Sequence, residues 1–225
     1  MRKERQKCYL CNKRRADTKD HVPPKSLFPY PKPSDLISGL PCCKKCNQSY
    51  SMDEEYFRDN LVLTAKPSPA VKQLWEKARI SCIRRPAKLV SINKRIKRLN
   101  LVTEKGVYVG TNPGLEFSKP RTDRVIKKII KGLFFHHTGR VMPSTVRIDD
   151  IYLNPDDIFK NLFIRKMFEE RKWIDIFYYA FLIERDSVES GFWWMWWLVF
   201  YRTNLFLVAF LENIINSAER MKLRP

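Results

Sequence analysis

Two cysteine pairs, Cys8-Tyr-Leu-Cys11 and Cys43-Lys-Lys-Cys46, constrain this chain more than anything else in it. Each C-x-x-C turn presents two thiolates together, and two such turns a few dozen residues apart have the spacing of a tetrahedral Zn²⁺ site. Four thiolates fill the shell of the ion, so its expected role is structural: it closes the loop between the turns and holds a segment too small to be held by packing alone. Cys42 stands beside Cys43 and is either an alternative ligand or a bystander. Cys82, alone in a later segment, reads as a buried thiol. Metal is expected ahead of disulfides because the opening "MRKERQK" carries no apolar signal region, and a cytoplasmic chain keeps its thiols reduced.

The charge distribution points to the partner. The chain has 225 residues and a formal net charge of +19, and residues 61–140 hold 19 basic against 4 acidic side chains. Basic charge concentrated in one segment is the footprint of a polyanion, nucleic acid before anionic membrane. Residues 192–211, "FWWMWWLVFYRTNLFLVAFL", are long enough to span a bilayer, yet Arg202 falls at the middle and the tryptophans cluster in one half instead of flanking both ends. Two strands around a turn at "YRTN" are therefore expected, and no membrane partner.

Turn formers and helix signals divide the rest. Pro67 and Pro69 precede a helix in "TAKPSPAVKQLWEKARI" and mark a seam between residues 1–60 and 61–225. "KLVSINKRIKRLNLVTEKGVYVG" reads as two strands around a Glu104-Lys105-Gly106 turn. From Thr122, an expected N-cap, Val125, Ile126, Ile129, Ile130, Leu133 and Phe134 fall at helical spacing. Arg124, Lys127, Lys128 and Lys131 between them read as a solvated basic face or as phosphate contacts, and His136 and His137 as cations at the helix end. "NPDDIFKNLFIRKMFEERKW" is expected to be a further helix. Three strand-like runs then form an antiparallel meander whose aromatic residues fill a core or line an interface, with a short helix closing the chain from Leu211.

The loop between the cysteine pairs contains Asp20-His21-Val22-Pro23-Pro24-Lys25, and Asn47 directly follows the last cysteine at the start of a helix, "CNQSYSMDEEYF". A structural ion would fix both groups as polar residues of one site. In that order, "CxxC … DHVPPKSLF … LPCCKKCNQSYSMDEEYF" resembles the HNH nuclease family in its cysteine-bearing form with the ββα-metal fold. The likeness covers about the first 60 residues.

The resemblance implies that His21 is the general base activating water, and that Asp20 and Asn47 hold one catalytic divalent cation, Mg²⁺ or Mn²⁺, beside the structural Zn²⁺ of Cys8, Cys11, Cys43 and Cys46. Asp35 is the nearest counterpart of the family's middle residue, which orients the base. A strict strand sends Asp20 and His21 to opposite faces, so a bend near Pro23 is required. Lys25, Lys44 and Lys45 flank the site as candidate substrate contacts. Asp53, Glu54 and Glu55 are either metal ligands or a solvated acidic first turn.

The expected fold is thus α+β: an N-terminal zinc-stapled ββα-metal (HNH) module over 1–60, followed over 61–225 by a basic α+β region that extends binding to nucleic acid or a partner and ends in the antiparallel meander. The expected function is a metal-dependent DNA endonuclease, of the kind found in restriction and anti-phage defence. RNA remains open as substrate, and so does a homodimer or a partner subunit. The rival readings are a non-catalytic zinc-containing nucleic-acid-binding protein and a membrane-surface protein.

Overall fold

The structure, a computed structural model, describes residues 6–142, 168–170, 173, 175–185 and 191–213. Thr18–Val22 (β1) and Ile37–Cys42 (β2) pair as an antiparallel hairpin, with a single 3-10 turn, Lys25–Leu27, in the connection. The register shifts between Asp20, opposite Leu40, and His21, opposite Ser38. Gly39 is the extra residue, and its φ of 80° is a left-handed conformation that side-chain-bearing residues adopt at a cost. The break in regular pairing is thus a bulge at the acid-histidine pair itself, upstream of Pro23, where the sequence suggested a bend.

Lys44–Ser49 (α1) follows the hairpin directly and Ser51–Thr64 (α2) continues after a break at Tyr50. Helix α2 runs unbroken across residue 60 and ends at Thr64, before the Pro67 and Pro69 segment. Pro69–Arg84 (α3) begins as its sequence indicates: the Ser68 hydroxyl accepts the N–H of Val71 at 3.2 Å, and Pro69 opens the first turn.

Two expectations are corrected in the next stretch. Pro86–Arg95 (α4) is a helix where "KLVSINKR" read as strand, because Pro86 at its first turn starts a helix whose buried contact is Ile92. Only Ile96–Val102 (β3) and Tyr108–Leu115 (β4) form the antiparallel ribbon, around the expected turn. Lys119–Thr138 (α5) starts one turn earlier than expected: Ser118 is its N-cap residue, Pro120 sits in the first turn, and Thr122 is a buried helical residue rather than the cap.

Phe168–Glu170 (β5), Phe177–Arg185 (β6), Gly191–Phe200 (β7) and Asn204–Asn213 (β8) form one antiparallel sheet in chain order. The stretch that resembled a membrane span is therefore β7, a turn and β8, with Arg202 in the turn, 2.9 Å from Asp175. No helix among the described residues is long and apolar enough to cross a membrane. Of the helix expected over 154–173, most lies outside the described residues, and Phe168–Glu170 is strand. Of the closing helix, Leu211 to Asn213 belong to β8 and the remainder lies outside the described residues.

The aromatic runs fill a core. Period-two alternation puts Phe177, Tyr179 and Phe181 of β6 and Trp194, Trp196 and Phe200 of β7 on the buried face. Phe134 of α5 meets Trp194 at 5.0 Å between ring centroids and Phe57 of α2 meets Phe200 at 5.3 Å, so both helices pack on the sheet. The opposite side of α5 lies on the hairpin. A Cβ at Gly132 would stand 2.2 Å from Val22 Cγ2, a separation only a glycine permits. The hydrophobic core therefore runs without interruption from Cys8 and Tyr9 to Phe206 and Phe210.

Candidate functional site

The four expected sulfurs come together. Sγ of Cys8, Cys11, Cys43 and Cys46 all lie within 4.8 Å of one another. A tetrahedron with Zn–S bonds of about 2.3 Å has edges of about 3.8 Å, so these thiols can hold a metal ion such as zinc with little movement. Burial pushes the Cys11 thiol up, but the backbone amides of Arg14 and Lys13 and the neighbouring sulfurs outweigh it and bring it down to about 6. That is the environment of a thiolate ligand. Cys42 is not one of the four mutually close sulfurs: it is fully buried behind Cys8, whose Sγ lies 4.0 Å from its own, and burial together with Cys8 pushes its thiol up. Cys82 is half-buried in α3 and also stands outside the cluster.

The cluster joins the start of α1 to the start of the chain, and two hydrogen bonds extend the joint to β1. Asp17 Oδ1 accepts the N–H of Lys44 at 2.6 Å, and Asn47 Nδ2 donates to Thr18 Oγ1 at 3.4 Å. Thr18 and Asp20 are two apart on β1 and share a face, so Asn47 packs on the side of the strand that carries Asp20. This is the hairpin-then-helix arrangement that the resemblance implied.

Asp20 itself is almost fully buried and already engaged. Its Oδ2 accepts from the Tyr9 hydroxyl at 2.8 Å and pairs with Lys128 Nζ at 2.8 Å, while Oδ1 accepts the N–H of His21 at 2.9 Å. Lys128 also reaches Glu54 Oε1 at 2.6 Å and lies 5.3 Å from the centre of the Tyr50 ring. Burial works against its charge, but Glu54 and Asp20 more than offset that, so the ammonium is held. The solvated face expected for this lysine is corrected: Lys128 is only 1% exposed, because it lies on the side of α5 that Gly132 brings against β1. Asp20 and Asn47 are oxygen donors that suit a hard divalent cation, and such an ion fits them only in competition with the Lys128 ammonium.

His21 is half-buried on the other face of β1. Among the described residues its ring makes no hydrogen bond to Asp20 or Asn47. Burial lowers its pKa first, Lys25 adds to that, and Asp20 opposes it, leaving a neutral imidazole at neutral pH. Asp35, the candidate partner of His21, instead accepts from Trp173 Nε1 at 2.8 Å. Of the three candidate substrate lysines, Lys44 and Lys45 line an open hollow of about 640 Å³ together with Arg14 and Arg15, beside the cysteine cluster. Lys25 lies apart from them, near His21, where Lys32 Nζ bonds to its carbonyl.

The acidic run of α2 is neither a metal site nor solvated. Asp53 pairs with Arg121 at 2.7 Å and Arg124 at 2.5 Å, Glu54 with Lys128, and Glu55 with Arg85 and Lys88. Each acid docks α2 onto α4 or α5. His137 is likewise structural, its Nε2 lying 3.0 Å from the Tyr179 hydroxyl within the aromatic core.

Two participants, Tyr9 and Lys128, were not read from the sequence as members of this site. Tyr9 sits between two cysteines of one knuckle, so the cluster positions its hydroxyl on Asp20. The signal for Lys128 was its spacing: it stands three residues after Val125 and four before Gly132, a cation on the apolar stripe of α5. No protein-family model matches this chain, and no curated protein or solved structure matches it either.

Proposed function

We propose that this chain is a metal-dependent endonuclease of the HNH kind that hydrolyses DNA phosphodiester bonds. The observation that carries the reading is the joint between α1 and β1, where a four-cysteine cluster holds Asn47 across the strand of Asp20 and His21. Neutral His21 accepts the proton of the attacking water at a ring nitrogen as the oxygen bonds to phosphorus and the bond to the 3′ oxygen breaks. A divalent cation at Asp20 and Asn47 would supply charge neutralisation at the phosphate and the leaving oxygen. Lys25, beside His21, and Lys44 and Lys45, with Arg14 and Arg15, offset backbone charge. Cys8, Cys11, Cys43 and Cys46 would hold a zinc ion with its shell filled by thiolates, which would position α1 and supply no open site for bond breaking.

A second reading is favoured by the Lys128–Asp20 pair: if the ammonium keeps its place against every divalent ion, the same unit is a zinc-stapled DNA-binding module without turnover. Nicking of supercoiled plasmid with Mg²⁺ or Mn²⁺ decides between them. The expected result is cation-dependent nicking that falls about 100-fold or more in His21→Ala, with zinc content and melting temperature unchanged. Equal nicking by both proteins, or none from a folded, zinc-loaded wild type at any divalent cation, overturns the nuclease reading.

A further inference from the structure

The ribbon of β3 and β4 gathers exposed apolar surface. Of the fifteen large apolar side chains exposed among the described residues, seven lie between Ile96 and Val109, each 41–61% exposed. Together they leave on the order of 600 Å² of apolar area in water, as much as a monomer commonly exposes in one patch and close to the about 800 Å² that each partner contributes to a stable interface. Charge avoids the same place. Residues 61–140 hold 19 basic and 4 acidic side chains, but residues 96–116 hold only three and two, and Lys97 is paired with Glu116 at 3.7 Å. The ribbon therefore offers a polyanion little, and two chains of net charge +19 can meet on it without bringing strong like charge together.

The two edges of the ribbon differ. Among the described residues β3 and β4 pair only with each other. The Glu116 N–H donates to the Arg95 carbonyl at 2.9 Å, so by alternation Lys97–Gly114, Leu99–Asn112 and Leu101–Gly110 are the bonded pairs. The backbone N–H and C=O groups of Arg98 and Asn100 then point away from β4, to a free edge. The edge of β4 is blunted: Pro113 has no N–H to offer, and Val109 is the extra residue of a bulge. β3 has neither device and all seven of its residues are exposed, so its edge is open to another strand.

The sequence of β3, Ile-Lys-Arg-Leu-Asn-Leu-Val, complements itself when reversed about Leu99. A twofold axis there sets Ile96 opposite Val102 of the second copy, Arg98 opposite its Asn100, and the two Leu99 side chains opposite each other. Arg98 and Asn100 then occupy bonded positions, and no like charges face one another. An axis at Arg98 would oppose two guanidiniums, and one at Asn100 would leave Ile96 and Lys97 unpaired. Antiparallel pairing also carries the tip of each ribbon, with Val107 and Tyr108, beside α4 of the second copy, where Leu89 and Val90 are exposed.

We infer that this chain forms a twofold dimer in which the β3 edges of two copies pair antiparallel about Leu99 into one four-stranded sheet. The pairing itself needs no catalytic reading. Its use rests on the reading of the chain as a nuclease: each chain contributes one His21 site, so the dimer presents two to a duplex, one for each strand.

The test is sedimentation equilibrium of the full chain, freed of nucleic acid, at about 1–100 μM. The wild type is expected at twice the chain mass of 26.9 kDa. Leu99→Lys sets two ammonium groups at the axis, on Cβ atoms about 5 Å apart, and should return the mass to that of one chain. Asn100→Asp, facing Arg98 across the axis, should tighten the dimer about threefold or more, and Asn100→Arg should loosen it by a similar factor. Far-ultraviolet circular dichroism should stay unchanged in all three, since these side chains are exposed. A wild type at the mass of one chain throughout, a dimer that persists in Leu99→Lys, or the same effect from Asn100→Asp and Asn100→Arg overturns the inference. Loss of duplex DNA affinity in Leu99→Lys with no change of mass also overturns it, in favour of nucleic acid as occupant. Mass needs no turnover, so a dimer that never nicks plasmid leaves the pairing standing and removes only the nuclease reading.

Discussion

Lys128 is the most buried charged side chain among the described residues. Its ammonium is out of water, against two carboxylates and the face of Tyr50, an arrangement that is stable only while all partners are present. Replacing it with methionine keeps most of the volume and leaves Asp20 and Glu54 buried without a cation. Lys128→Met should therefore destabilise the fold by about 3–5 kcal/mol, read as a drop in urea midpoint. A loss within error of zero would mean that the pair is solvated and that Asp20 is free to take another cation. The sequence displayed this lysine within a basic helix. Its spacing on the apolar stripe of α5 was a local signal of burial, but the acid it faces stands over a hundred residues away and leaves no mark in the local pattern.

At the scale of elements, helices are docked by charge on one side and by apolar contact on the other. The acids Asp53, Glu54 and Glu55, consecutive on α2, fan out to five cations: Arg121, Arg124 and Lys128 on α5, Lys88 on α4, and Arg85 just before α4. Glu55 gives this docking a pH signature. The hydrogen bond from Arg85, with Lys88 adding to it against burial, holds the Glu55 carboxyl at about 2, well below its ordinary 4.5. Its folded value is depressed, so its contribution is complete above about 4.5 and is lost as pH falls from there through about 2. The partners are partly exposed, so screening by water and salt keeps the effect small. Urea midpoints of wild type and Glu55→Gln should differ at pH 6 and converge as pH approaches the folded value; a difference independent of pH would contradict the assignment. The elements themselves were mostly legible: the hairpin turn at Gly106, the start of α3 at Ser68 and Pro69, and the meander follow from local turn chemistry and period-two patterning. The errors, α4 read as strand and α5 started late, arose where proline at a first helical turn outweighed a β-branched or capping signal.

Across the whole molecule, the cysteine cluster and the aromatic sheet are two ends of one core, with α2 and α5 packed between them. A chain so connected should not lose its N-terminal unit alone. Removing the bound ion with a strong chelator should lower the melting temperature as a single transition, followed in parallel by tryptophan fluorescence of β7 and by far-ultraviolet circular dichroism. Two separate transitions would show that the hairpin unit folds independently of the sheet. The sequence by itself determined the four thiols that can hold a metal, the ribbon turn, the strands β6 to β8, most of the helices, and the segment that gathers positive charge, because each is written in short-range spacing or in composition. Only the tertiary structure decided that Cys42 stands aside, that Asp35 serves Trp173 instead of His21, and that Lys128 and Tyr9 close on Asp20. Those outcomes depend on which faces of α5, β1 and the knuckle are pressed together, and burial of charge is fixed by that long-range packing and by nothing in the local order of residues.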